Sequence, residues 1–350
     1  MSQFIQLHLL TSYGPSNLNR DDLGRPKTAI MGGVERLRIS SQSLKRAWRT
    51  SDIFEEELKG NIGKRTKLLG ISIYEYLCDK SIKKKQAKEW AQAIVSQFGK
   101  LKTADKNNPL NDLEIEQLVH ISPDEEKKIY QLADLIAGRN KGPGEEELQL
   151  LRKDIQAADI ALFGRMLASH PAYNVEAAAQ VSHALTVHGV SVEDDYFTAV
   201  DDLNTREVDM GSAHIGELCF GAGVFYTYVC INKTLLDENL NNDSLSKSSI
   251  KALALCAAQI APSGKQNSFA SRSRASYVLA ETGPQQPRQL SAAFLNPVAG
   301  NDIINTAIKR METLCENMDR VYGACADRRY SINVEKGSGS LDKLIKFITE

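Results

Sequence analysis

The stretch Val224-Phe225-Tyr226-Thr227-Tyr228-Val229-Cys230-Ile231 is β-branched or aromatic at almost every position, the composition of a strand packed within a sheet. It commits the chain to a β-sheet core. Other parts of the sequence must then supply strands to pair with it and helices to cover it. Residues 3–12 and Ser276–Glu281 have strand character, and Arg36-Leu37-Arg38-Ile39 alternates as a short strand does. Residues 13–35, rich in Gly, Pro and Asn, read as a long loop. A helix is expected from Leu44 to about Arg49, after the cap-forming Ser40-Ser41-Gln42-Ser43. From about 54 to 165 the pattern is helical, with segments at 83–99, 113–137 and 145–167, the last two separated by the Gly-rich linker 138–144. Further helices are expected at 176–190, 247–261, 301–322 and 340–349, and a projecting hairpin at 192–222. The order of elements is that of an α+β fold with helices on an antiparallel sheet.

Several function classes fall away. No apolar run approaches the length of a bilayer span. The start, Met1-Ser2-Gln3-Phe4, lacks the features of a secretory signal, so an intracellular, soluble protein is expected. Six cysteines are scattered without a C-x-x-C pair, which argues against a zinc site or a disulfide framework. His183 and His188, five apart on the expected helix, would be rotated by roughly 500° and would not share a face as metal ligands do. The acid pairs Asp21-Asp22, Asp194-Asp195 and Asp201-Asp202 could hold magnesium, but adjacent acids in loops are more often simply solvated. No catalytic residue, metal or cofactor is expected.

Charge is more informative. The net charge is −1, yet residues 1–50 carry eight basic and three acidic side chains, a net of +5. Residues 193–217 carry eight acids and one base, a net of −7. One face can therefore attract phosphate while another repels it. Within the basic segment, Gln42, Lys45, Arg46 and Arg49 fall on one side of the expected helix at roughly 100° per residue. Leu44, Ala47 and Trp48 fall on the other. The apolar side docks the helix and aims the cations outward. Helix-start amides and the hydroxyls of Ser40, Ser41 and Ser43 add neutral donors to a polyanion grip without base-reading power. The plain alternative is a capped surface helix with solvated charges. The preceding loop, with Arg20, Arg25, Lys27 and Gly32-Gly33, weighs against it.

Two other places are candidates. Pro262-Ser263-Gly264-Lys265-Gln266-Asn267 is a turn with one cation and two amides; it lacks the spacing of a Walker loop and is as readily an ordinary surface turn. In the hairpin region, Tyr196-Phe197-Thr198 and Leu203 could wedge between bases, or Phe197 could be core.

Taken together, Leu18-Asn19-Arg20-Asp21-Asp22, Ala29-Ile30-Met31-Gly32-Gly33 and Arg38-Ile39-Ser40-Ser41-Gln42-Ser43-Leu44-Lys45-Arg46-Ala47 resemble the start of the CasC backbone subunit family of the type I-E CRISPR Cascade complex. Ala161–Met166, Phe197–Leu203, Gly211–Gly216 and Gly223–Tyr226 match it as well. The similarity is specific over about 1–50, 160–232 and 262–270, and vague over the helical insertion and beyond about 285.

The resemblance implies an RRM-like (ferredoxin-like) antiparallel palm made of 1–53, 161–191 and 223–350, a helical fingers insertion over 54–160, and a β-hairpin thumb over 192–222. It implies a non-enzymatic subunit of the prokaryotic cytoplasm that stacks in copies along a CRISPR RNA and leaves guide bases free to pair with a target DNA strand. Large, small and 5′- and 3′-end RNA-capping subunits would be its other partners, and no membrane. Arg20, Lys27, Ser40, Gln42, Ser43, Lys45, Arg46, Arg49 and Lys265 would hold RNA phosphates. Met166, Phe197, Thr198 and Leu203 would flank a displaced nucleotide. The competing possibility is a metal-dependent target-RNA endonuclease of a type III-like effector, with Asp201 or Asp202 as its catalytic acid.

Overall fold

A computed structural model of the chain describes residues 2–199 and 214–350. Two compact units emerge, one from the described residues within Met1–Phe54, Gln180–Ile231 and Ile250–Glu350, the other from Glu55–Ala179 and Asn232–Ser249.

The first unit is organised by a sheet. Its strands are β1 (Phe4–Ser16), β2 (Thr28–Met31), β3 (Val34–Ile39), β4 (Ala179–Val181), β5 (Ala184–Thr186), β6 (Glu193–Ala199), β7 (His214–Asn232), β8 (Ala275–Gly283) and β9 (Arg328–Asn333). They are joined in the order β9-β8-β1-β7-β5-β3-β2, with β4 and β6 also paired to β7. Helix α1 (Ser41–Arg49) lies between β1 and β5 in sequence, and α2 (Asp243–Gln259) lies between β7 and β8. The neighbours β8-β1-β7-β5 thus form the 4-1-3-2 arrangement of a split βαβ pair. That is the RRM-like topology expected for the sheet. The two crossover helices touch: the Ser51 hydroxyl after α1 meets the Cys256 thiol of α2 at 3.3 Å.

Both faces of this sheet are covered. On one, Tyr226, Tyr228 and Leu279 pack with Phe294, Ala307, Ile308 and Met311, the last three from α3 (Ile303–Tyr322). On the other, Ile5, Leu7, Leu9, Val229 and Ile231 are equally buried, on the side that right-handed crossovers give to α1 and α2.

Three expectations change. Residues 176–190 form two short strands, β4 and β5, where a helix was expected. Ala184 and Thr186 are buried, and backbone bonds from Ser182 to Tyr228 (2.9 Å) and from Val187 to Val224 (2.8 Å) tie the segment to β7. The ladder offered by a buried strand overrides the helix propensity of an Ala-rich run. Residues 13–35 are not one long loop, because β1 extends to Ser16 and β2 pairs with β3 from Thr28↔Leu37 to Met31↔Val34. Gly32 and Gly33, at φ of +62° and +79°, supply the two left-handed positions of the tight hairpin turn.

The third change is in the second unit, where only Ala158–Phe163 of the segment 145–167 is helical. Its preceding backbone serves a buried ion pair instead. Arg165 meets Glu125 at 2.6 Å, and each also bonds to the main chain of Arg152, at 3.2 and 3.0 Å. The rest of this unit is mostly helical, with Leu69–Asp79, Lys84–Val95 and Pro123–Arg139 packed around Ile73, Ile94 and Ile129. It also contains a short hairpin of Lys64–Thr66 with Val119–Ile121, so the helix expected over 113–137 begins only at Pro123, after the Ser122 cap.

β6 runs antiparallel to the first part of β7, from Glu193↔Phe220 to Ala199↔His214. All seven residues of β6 are exposed. Among the described residues, no helix is long and apolar enough to cross a membrane.

Candidate nucleic-acid interface

α1 is built to keep its polar side outward. Leu44 and Trp48 are 4% and 1% exposed and anchor the helix. Ser40 caps it, its hydroxyl accepting from the Ser43 amide at 3.3 Å, and its own amide donates to Asn19 Oδ1 at 2.9 Å. That last bond seats the 17–27 loop at the helix start. The first turn contains no acid, and Arg46 and Arg49 stand in the last. Gln42 and Arg46 are exposed, while Ser43, Lys45 and Arg49 are half-buried. Partial burial lowers the Lys45 ammonium from its ordinary value, a cost that a phosphate neighbour would offset.

The 17–27 loop is held by its own polar atoms. Asp21 Oδ1 accepts from the amides of Leu23 and Arg25, both at 2.9 Å. Asn17 donates to the carbonyls of Gly24 (3.0 Å) and Cys219 (2.9 Å). These contacts place Arg20 beside α1. From the other side comes the turn before the short helix Gln266–Phe269, with Lys265 in the left-handed region at φ +50°. Arg20, Ser43, Arg46, Ser263 and Gly264 line one cleft of about 490 Å³, with the exposed Lys265 next in sequence to Gly264. Asp21 also borders it, but one of its oxygens is engaged by the loop amides.

The structure thus gathers Arg20, Ser43 and Arg46 and sets the 262–265 turn beside them. Ser40 is buried and its hydroxyl is spent on the cap. Lys27 lies outside this cleft, in a shallower depression shared with Arg38. Met166, in the second unit, is 79% exposed, and Phe197 in β6 is 44% exposed, so Phe197 is not core. Its ring lies across Gly216, where a Cβ would come within 2.5 Å of it. Thr198 is exposed beside it. Leu203, Asp201 and Asp202 lie outside the described residues.

Sequence reasoning over-counted one cation. Arg36 is fully buried and donates to the carbonyls of Met31 (3.2 Å), Thr186 (3.0 Å) and Phe294 (2.9 Å). Arg25 is likewise engaged, pairing with Asp194 of β6 at 3.1 Å.

Residues 5–346 match the family of CT1975-like proteins. The chain belongs to that family. Its fold is similar to a chain of a CRISPR RNA-guided surveillance complex in a pre-nicking state, with a TM-score of 0.88, 29% identity and 99% of each chain covered. A second chain, from a CRISPR RNA-guided surveillance complex, matches with a TM-score of 0.63 and 25% identity, covering 99% of this chain and 98% of that one. No curated protein matches. The resemblance carried by the motifs is borne out at the level of family and fold.

Proposed function

We propose that the chain is the CRISPR RNA-binding backbone subunit of a type I-E Cascade surveillance complex, polymerising along the guide in prokaryotic cytoplasm. In this reading the first unit supplies the palm and the β6–β7 hairpin the thumb, while the second unit supplies the fingers. Arg20, Lys27, Gln42, Ser43, Lys45, Arg46, Arg49 and Lys265 hold phosphates, and Ser40 contributes by fixing the helix start. Met166, Phe197, Thr198 and Leu203 flank a displaced nucleotide. The partners are CRISPR RNA, a target DNA strand paired to it, further copies in a head-to-tail stack, and the other Cascade subunits. The chain itself does no chemistry.

The observation that carries this reading is the cleft beside α1. Two exposed guanidiniums, a serine hydroxyl and a glycine-lined turn converge there from three separate segments of the chain. Such a site suits a sugar–phosphate backbone. It offers charge and hydrogen-bond donors that hold phosphates and so position a polynucleotide, leaving base edges free in this reading. A guide whose sequence varies requires that division of labour.

The test is co-expression of the complex with a CRISPR array, followed by extraction of bound RNA. The wild-type particle should carry RNA of uniform length, and Arg20→Glu with Arg46→Glu should lose most of it. Full RNA retention by that double variant would sink the proposal. Magnesium-dependent periodic cutting of complementary RNA by the particle would show that the subunit is an enzyme instead.

A further inference from the structure

Arg38 of β3 and His183, in the turn between β4 and β5, are held face to face with Arg38 Nη1 3.2 Å from His183 Nδ1. The register that pairs Arg38 with Leu185 sets this distance. Arg38 Nε is turned toward the Thr28 carbonyl at 3.4 Å, which leaves one terminal nitrogen for other partners. Lys27 is close enough for its charge, with that of Arg38, to act on the ring. Among the described residues, no carboxylate forms an ion pair with any of the three. Two cations, Lys27 and Arg38, thus act on one exposed ring with no described carboxylate paired to them, an arrangement that a bound anion would relieve.

We infer that Lys27, Arg38 and His183 form a second phosphate site, continuous with the cleft beside α1, that takes a neighbouring phosphate of the same polynucleotide. Continuity comes from shared walls: Leu18 and Asn19 border both the α1 cleft and the depression that holds Lys27 and Arg38. This inference rests on the reading that the α1 cleft holds RNA backbone, and it adds Arg38 and His183 to it. The ring is a neutral donor in this site. Arg38 donates to Nδ1, so the ring proton sits on Nε2, and His183 is an exposed side chain with that nitrogen able to donate outward. Burial, then Arg38 and Lys27, lower the His183 pKa below its ordinary value; a bound phosphate reverses the electrostatic part of that effect.

The experiment follows the His183 ring by NMR as pH is varied. It uses the purified chain alone, with inorganic phosphate, and with a single-stranded RNA oligonucleotide, in wild type and in Arg38→Gln. Phosphate and RNA should both raise the His183 pKa in the wild type, and Arg38→Gln should abolish the phosphate effect. The same variant should also lower the salt slope of RNA binding by about 0.7, one phosphate contact on a single strand. If RNA binds with the α1 dependence described above but leaves the His183 titration and the Arg38→Gln salt slope unmoved, the second site is wrong and the backbone grip stands. If RNA does not bind at all while phosphate still shifts His183 through Arg38, the grip is wrong and the anion site stands. An unmoved ring in both additions overturns the inference outright.

Discussion

Gly264 lies directly against Leu18: a Cβ built on the glycine would come within 2.3 Å of the Leu18 carbonyl oxygen and 2.8 Å of its carbon. Backbone meets backbone there, so neither partner can swing aside as a flexible side chain could. This contact brings the 262–265 turn to the wall of the α1 cleft. Gly264→Ala should therefore separate the turn from the 17–20 segment, destabilising the chain by about 1–3 kcal/mol as overpacking does. RNA retention should fall with it. Urea unfolding and RNA extraction check the two effects. An alanine variant with wild-type stability and RNA content would show that the close approach is dispensable.

Arg36 and Arg46 should respond in opposite ways to truncation. Replacing Arg36 by Met strips the donors from the carbonyls of Met31, Thr186 and Phe294, and each buried group left unsatisfied costs about 1–3 kcal/mol. A loss of about 3 kcal/mol or more is expected in denaturant unfolding. Arg46→Ala, at an exposed position, should change stability by no more than about 0.5 kcal/mol while weakening RNA binding.

Stability should fall in acid in two stages. His8 is buried between the Tyr226 hydroxyl (2.9 Å) and Glu281 (3.1 Å), and burial lowers its pKa below 6.5 despite the opposing pull of Glu281. The unfolded chain binds this proton near pH 6.5 and the folded chain does not, so stability declines as pH drops below that value. Burial alone would raise the Glu281 carboxyl, but hydrogen bonds from His8 and Arg288, with the Arg288 charge, hold it well below the usual 4.5. Its contribution is present above about 4.5 and is lost as pH falls further toward its folded value. Each group adds a slope of up to about 1.4 kcal/mol per pH unit. Urea midpoints measured from pH 7.5 downward should decline from about 6.5, and His8→Gln should remove the upper stage.

RNA affinity of the chain should depend steeply on salt. Each backbone phosphate held on a single strand contributes about 0.7 to the slope of log affinity against log salt concentration. Arg20→Ala and Arg46→Ala should each lower that slope by about one such step, whatever the RNA sequence. A variant that weakens one sequence more than another would point to base reading at that residue.

What the sequence determined by itself was local. The aromatic and β-branched run at 224–231 required a sheet, the spacing of Leu44 and Trp48 fixed which side of α1 faces inward, and Ser40 was recognisable as its cap. The motifs that resemble the CasC family identified the family and the class of fold because they occur in a fixed order along the chain. Tertiary structure decided the rest, since it turns on what pairs with a segment more than on what the segment prefers. It made 176–190 two strands, because β7 offered hydrogen-bond partners that an Ala-rich run would otherwise have found within a helix. It sent Arg36 into the core and left Arg38 at the surface, although both add equally to the charge count. It also brought Ser263 and Gly264 to Arg20 and Arg46 across more than two hundred residues of chain. Charge, period and capping are properties of neighbours in sequence; a site assembled from distant segments exists only once burial and backbone pairing have chosen which surfaces meet.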